Sequence, residues 1–226
     1  VCQAIRGLPV PVVARLHDEV GPLPSRPQIP EALHALMDAA DGPSLSRFLW
    51  HSGTADQFRE MAQHRSIYQL KEADPHTWMI PRLAGHPKAA AVEIQADEYG
   101  DGVARDMHQN LFGLTMSELG LDPSYHAYLP VIPGWTLATV NAVSLFGLHR
   151  RWRGGALGHL AAVEMTSSEP SRRYSAGLRR LGFDERVAQV GGGTPERGGE
   201  LCGLDPSVME ALAVDYGAFL PGAIRT

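Results

Sequence analysis

Cysteine is scarce. Cys2 and Cys202 are the two in 226 residues, too few for a disulfide framework or a cysteine-only metal cage. Basic charge is not in excess either. Twenty Lys and Arg against 25 Asp and Glu leave a formal net charge of −5, which argues against a general nucleic-acid binder. Sustained apolar/polar alternation, the mark of half-buried strands, is almost missing. HExxH, CxxC, GxGxxG, a Walker-type loop and a GxSxG elbow are all lacking. No positive segment precedes an apolar core and small-residue cleavage site, so no secretory signal and a cytoplasmic location are expected. The chain opens on Val1 rather than Met, so its true N-terminus is expected to be missing or processed. The uncharged run from Ala127 to Leu148 contains Pro130, Pro133, Gly134 and Asn141. What helix remains is too short for a hydrocarbon core of ~30 Å, so a buried helix rather than a membrane span is expected. Histidine is frequent, with ten residues, yet none follows His159.

The remaining composition, 44% hydrophobic and 20% charged with a mean hydropathy of −0.15, suits a globular domain. Residues 1–29 are proline-rich and read as an irregular lead-in. Residues 30–190 read as a helical bundle domain, and 191–226 as a glycine-rich tail with a short helix over Ser207–Phe219. Helical spacing begins near Pro30 and recurs over 55–73, closed by Asp74-Pro75. It recurs from Pro87 to Glu98, loosens at Gly100 and Gly102, and resumes through Leu119. Further helices are expected at 136–152, 155–167 and 171–181, divided by Gly154-Gly155 and Glu169-Pro170. The fold class is all-α, a helical bundle.

Several polar residues sit where such a bundle needs an explanation. Glu164 shares a stripe with Leu157, Leu160 and Ala161 at about 100° per residue. A carboxylate there needs a cation, a hydrogen-bond donor or a metal, and a salt bridge to an arginine would serve as well as a metal. Glu72 falls in the last turn of its helix, where the dipole disfavours an anion. Lys71, Arg82 or a metal would compensate it. Asp101 and His108, seven residues apart, differ by about 20° on a regular helix, and Glu98 and His108, ten apart, by about 80°. A distortion at Gly100–Gly102 would close the second gap. Carboxylates with imidazole on facing helices form iron and manganese sites in bundles. His149 and His159 read as packing or surface residues, or as donors behind the ligands. The arginines at 150, 151, 153, 172, 173, 179 and 180 read as a solvated or salt-bridged face. Trp78, Trp135, Phe112 and Tyr128 read as core aromatics, one of which would wall a substrate pocket.

Four stretches carry a resemblance: Gln69–Trp78, Glu93–Gly100 leading to Met107-His108, Gly158–Ser167, and Arg179–Gly182. Together they resemble the haem-oxygenase-like diiron oxidases, more narrowly the bacterial iron-containing redox enzymes, over 30–190. The resemblance implies a haem-oxygenase-like helical bundle that binds no haem. It implies metal ligands at Glu98 and His108 on one core helix and Glu164 on another, with Glu72 an additional carboxylate and Asp101 a geometric alternative to Glu98. The cofactor implied is Fe(II), two irons in intact members, which reacts with O2 to oxidise a small amine, amino acid or fatty-acid-like substrate. A homodimer would match the family's habit, with neither nucleic acid nor membrane as partner. One departure stands out. The family's His-x-x-x-Asp-x-x-His run falls here on Thr194, Gly198 and Leu201, so weakened iron binding and a frameshifted, truncated or decayed tail are expected. The alternatives are a metal-free member serving as a binding or interaction scaffold, and a thiaminase-like bundle using Glu164 or Glu72 for acid–base chemistry.

Overall fold

The computed structural model describes residues 42–185, 187 and 188, with Gln28, Glu31, Ala32 and Ala35. The expected lead-in apart from Gln28, the glycine-rich tail and its short helix, and the positions Thr194, Gly198 and Leu201 lie outside these residues. Helices follow one another as α1 (Leu45–His51), α2 (Ala55–Gln69), α3 (Asp74–Thr77), α4 (Gly85–Glu98), α5 (His108–Glu118), α6 (Gly134–Leu148) and α7 (Arg153–Arg180). Single 3₁₀ turns join several of them, and no strand occurs among the described residues. The described residues form the expected all-α helical bundle.

Local chemistry starts and stops these elements. The side chain of Thr54 accepts from Gln57 N, and Gln57 Oε1 accepts from Thr54 N, a reciprocal pair that satisfies two orphan donors at the start of α2. α2 ends at Gln69, so Glu72 lies in the turn behind it rather than in its last helical turn. Pro75 then opens α3, where its missing N–H costs nothing. At Gly147 an added Cβ would sit 2.6 Å from the Pro75 carbonyl oxygen, so α3 rests directly on the backbone of α6.

α7 corrects the expected division of the C-terminal half. Gly154, Gly155 and Pro170 all lie inside one 28-residue helix. An interior proline costs about 3 kcal/mol, but packing on both sides outweighs it. Before Pro170, Ala156, Leu157 and Leu160 are buried against Ala90, Ala91 and Ile94 of α4. After it, Tyr174 and Leu178 are buried with Leu49, Phe58 and Met116. Each large buried side chain contributes roughly 1.5–3 kcal/mol. Glu164 falls between these two apolar clusters. Arg180 fastens the far end, donating to the carbonyls of Leu49, Trp50 and Gly53 at the close of α1.

The uncharged run also differs from expectation. Only Gly134–Leu148 of it is α-helix, and Trp135 is 76% exposed. Among the described residues no helix is long and apolar enough to cross a membrane.

Candidate metal centre

α4 ends at Glu98 because the chain cannot continue as a right-handed helix. Gly100, Asp101 and Gly102 all have positive φ, at 60°, 52° and 82°, a region that glycine enters freely. The Cα of Gly100 also presses on the chain ahead of it, since an added Cβ would lie 2.6 Å from Asp106 C and Met107 N. The loop thereby folds back on itself, and the last residue of α4 meets the first residue of α5. His108 Nδ1 lies 3.1 Å from Glu98 Oε2. These two residues therefore belong to two helices rather than one. Asp101, expected beside His108 on a regular helix, is exposed in the left-handed stretch and stands apart from the cluster.

The third member comes from the turn after α2. Glu72, Glu98 and His108 each offer one ligand atom, and these atoms lie within 4.8 Å of one another. Gln69 Nε2 donates to Glu72 Oε2 at 2.8 Å, which orients that carboxylate. The two cations expected near Glu72 are engaged elsewhere: Lys71 lies over the Tyr125 ring, and Arg82 donates to the carbonyls of Gly147 and Leu148. Glu164, 7% exposed, approaches from α7 but stands outside the tight group. Among the described residues no arginine forms a salt bridge with it; Arg172 and Arg173 reach Glu169, and Arg179 reaches Glu185.

Electrostatics bind the four groups into one unit. Burial, then the Glu98 charge, raises the Glu72 carboxyl to about 7. Burial, then Glu98 and Glu72, raises Glu164 to about 8. For His108 burial works downward, but the Glu98 carboxylate, with Glu72 and Asp97, outweighs it and holds the imidazole up at about 9. Burial and the same three glutamates push the Tyr68 phenol upward. Carboxylates crowded out of water call for positive charge.

Two observations fit a metal ion there. Glu98 Oε2 is buried and accepts no hydrogen bond, although His108 Nδ1 is 3.1 Å away. The donor set, carboxylate oxygens with an imidazole, suits iron or manganese rather than a thiolate-seeking metal.

Beside the centre, a cavity of about 470 Å³ lies between α2, α6 and α7. Its walls are mainly apolar and include Trp135, Val143 and Val163, with Arg65, Tyr68 and His159 as polar groups. Tyr68 lines this cavity and also feels the three glutamates, and its Oη has no hydrogen-bond partner. His159 lies against buried His76, with ring centroids 5.8 Å apart. Burial and the neighbouring His159 lower His76 to about 4. His149 is exposed at the end of α6. Of the four aromatics expected in the core, Phe112 and Tyr128 pack against it, whereas Trp78 is 38% exposed and Trp135 walls the cavity.

Sequence reasoning passed over Asp97 and Tyr68. Asp97 is masked by its neighbour Glu98, and its Oδ2 lies 3.7 Å from His108 Nε2. Tyr68 had a usable signal, since residues four apart share a helix face and Glu72 follows it by four.

A family model described as iron-containing redox enzyme matches residues 59–189, a span that holds the whole cluster and the cavity walls. No curated protein matches the sequence.

Proposed function

The chain belongs to the iron-containing redox enzyme family, and on that premise we propose that it is a non-haem, iron-dependent oxidoreductase that uses O2 on a small organic substrate. The convergence of Glu72, Glu98 and His108, with a buried Glu98 oxygen lacking any hydrogen bond, carries this reading. In it, these three residues hold iron, and Glu164 supplies a further carboxylate from α7. Ferrous iron held by these residues would bind O2 and supply part of its reducing equivalents, the organic substrate supplying the rest. Gln69 fixes the orientation of Glu72, and the Glu98 oxygen beside His108 Nδ1 is the acceptor that an ion would share with that ring. The mainly apolar cavity receives the substrate, and Tyr68 is the polar group between substrate and ligands. Burial and the charges of three glutamates keep its phenol protonated, so its O–H is available to a molecule in the space beside them.

The competing reading is a metal-free member of the fold that serves as a scaffold. His108 already pairs with Glu98, and raised carboxyl pKa values let Glu72 and Glu164 discharge by protonation, so the cluster has a route to neutrality without an ion. The same raised values would suit acid–base chemistry at Glu72 or Glu164.

Anaerobic loading with ferrous iron, followed by metal analysis and O2 uptake, separates the readings. Stoichiometric iron that is lost in Glu98→Ala and His108→Ala, with O2 consumed by the loaded wild type, is expected. Iron retained equally by those variants, or not held at all, would leave the scaffold.

A further inference from the structure

His108 is flanked on both edges of its ring by carboxylates from consecutive residues of α4. Nδ1 lies 3.1 Å from Glu98 Oε2, and Nε2 lies 3.7 Å from Asp97 Oδ2. Consecutive helical residues project about 100° apart, so the final turn of α4 can reach both nitrogens. The two carboxylates are not equivalent. Glu98 is buried and converges with Glu72, whereas Asp97 is about one-quarter exposed and lies outside that group. Nδ1 therefore faces the Glu72–Glu98 pair, and Nε2 faces a carboxylate outside the tight group.

A histidine that binds a metal through one nitrogen commonly offers the other, as N–H, to a carboxylate that fixes tautomer and ring orientation. We propose that Asp97 is the positioning residue of this centre: it accepts the Nε2–H of His108, holds the proton on that nitrogen, and leaves Nδ1 as the ligating atom. The inference rests on the metal reading above. It also accounts for the order of the pair. Exchanging the roles of Asp97 and Glu98 would turn Nε2 toward the ion and leave buried Glu98 as the outer partner, away from Glu72. The 3.7 Å separation exceeds hydrogen-bond length, so the bond to Asp97 is one that a small shift of the metal-bound ring would complete.

The test uses the full chain with Asp97→Ala and Asp97→Asn, titrated with Zn(II), and anaerobically with Fe(II), against a chromophoric chelator. Asp97→Ala should weaken both metals by about 10–100-fold. Asp97→Asn should recover most of the loss, because the amide oxygen still accepts the Nε2–H. Nitrogen NMR of the ¹⁵N-histidine-labelled, zinc-loaded wild type should show His108 protonated at Nε2 and metal-bound at Nδ1. Unchanged affinity in Asp97→Ala, or a wild-type His108 bound through Nε2, overturns the role of Asp97 while the metal reading stands. A wild type that holds neither metal overturns both.

Discussion

Glu98 closes one helix and His108 opens the next, and the two face each other at 3.1 Å across a loop that turns back at Gly100. The contact depends on left-handed backbone, so the loop is the first place to perturb it. Gly100→Ala would add a Cβ 2.6 Å from Asp106 C in a conformation that costs an L-residue roughly 1–2 kcal/mol. A lower Tm and a weaker metal site are expected together. Thermal melts and metal titration of that variant check both.

The glutamates and His108 give the metal-free protein a pH dependence of one sign. Glu72 and Glu164 titrate in the folded state at about 7 and about 8, against 4.5 for the ordinary carboxyl, and His108 at about 9 against 6.5. A raised folded-state value favours the folded form while it holds its proton, and that advantage drains away as pH climbs through the folded value. Tm should therefore fall between about pH 5 and 9. His76 acts oppositely: its value of about 4 removes stability as pH drops below 6.5. Melts of chelator-treated protein across pH 4–9 should show a maximum inside that range, and Glu164→Gln should flatten the alkaline side.

Filling the cavity should separate substrate binding from metal binding. Val143 lines the cavity from α6 and lies outside the ligand group. Val143→Phe should block an organic substrate while leaving iron affinity within about two-fold, a change worth less than ~0.5 kcal/mol. Binding of a small apolar probe and metal titration, run on the same preparation, read the two effects.

Pro170 sits within α7 without serving the ligand cluster. Replacing it with alanine restores a backbone donor and relieves a clash, so Pro170→Ala should raise stability by about 1–3 kcal/mol. Denaturant unfolding measures the gain; a loss would mean that the proline itself is required for packing.

The helical class was legible because apolar residues recur at three- and four-residue steps, and the same steps placed α2 and α4 to within a few residues. Glu72, Glu98 and His108 were all singled out from helix position and spacing, and the resemblance then implied them as ligands. Spacing treated residues 98–108 as a distorted helix, and on that basis Asp101 ranked as high as Glu98. The actual contact comes from Gly100 meeting the backbone of Asp106 and Met107, a tertiary approach that no periodicity encodes. Pro170 misled in the opposite way: its local rule is sound, but burial of Leu160 before it and Leu178 after it outweighs that rule. Trp135 seemed a core residue because composition cannot say which side of a helix faces solvent.

The ligand atoms also come from three pieces of chain, the turn after α2, the end of α4 and the start of α5. An ion held by all three would act as a reversible cross-link. Because it would be released on unfolding, it would favour the native state by an amount that grows with the logarithm of its free concentration. Iron supply would then set the lifetime of the protein as well as its chemistry, and starvation for the metal would expose the bundle to proteolysis.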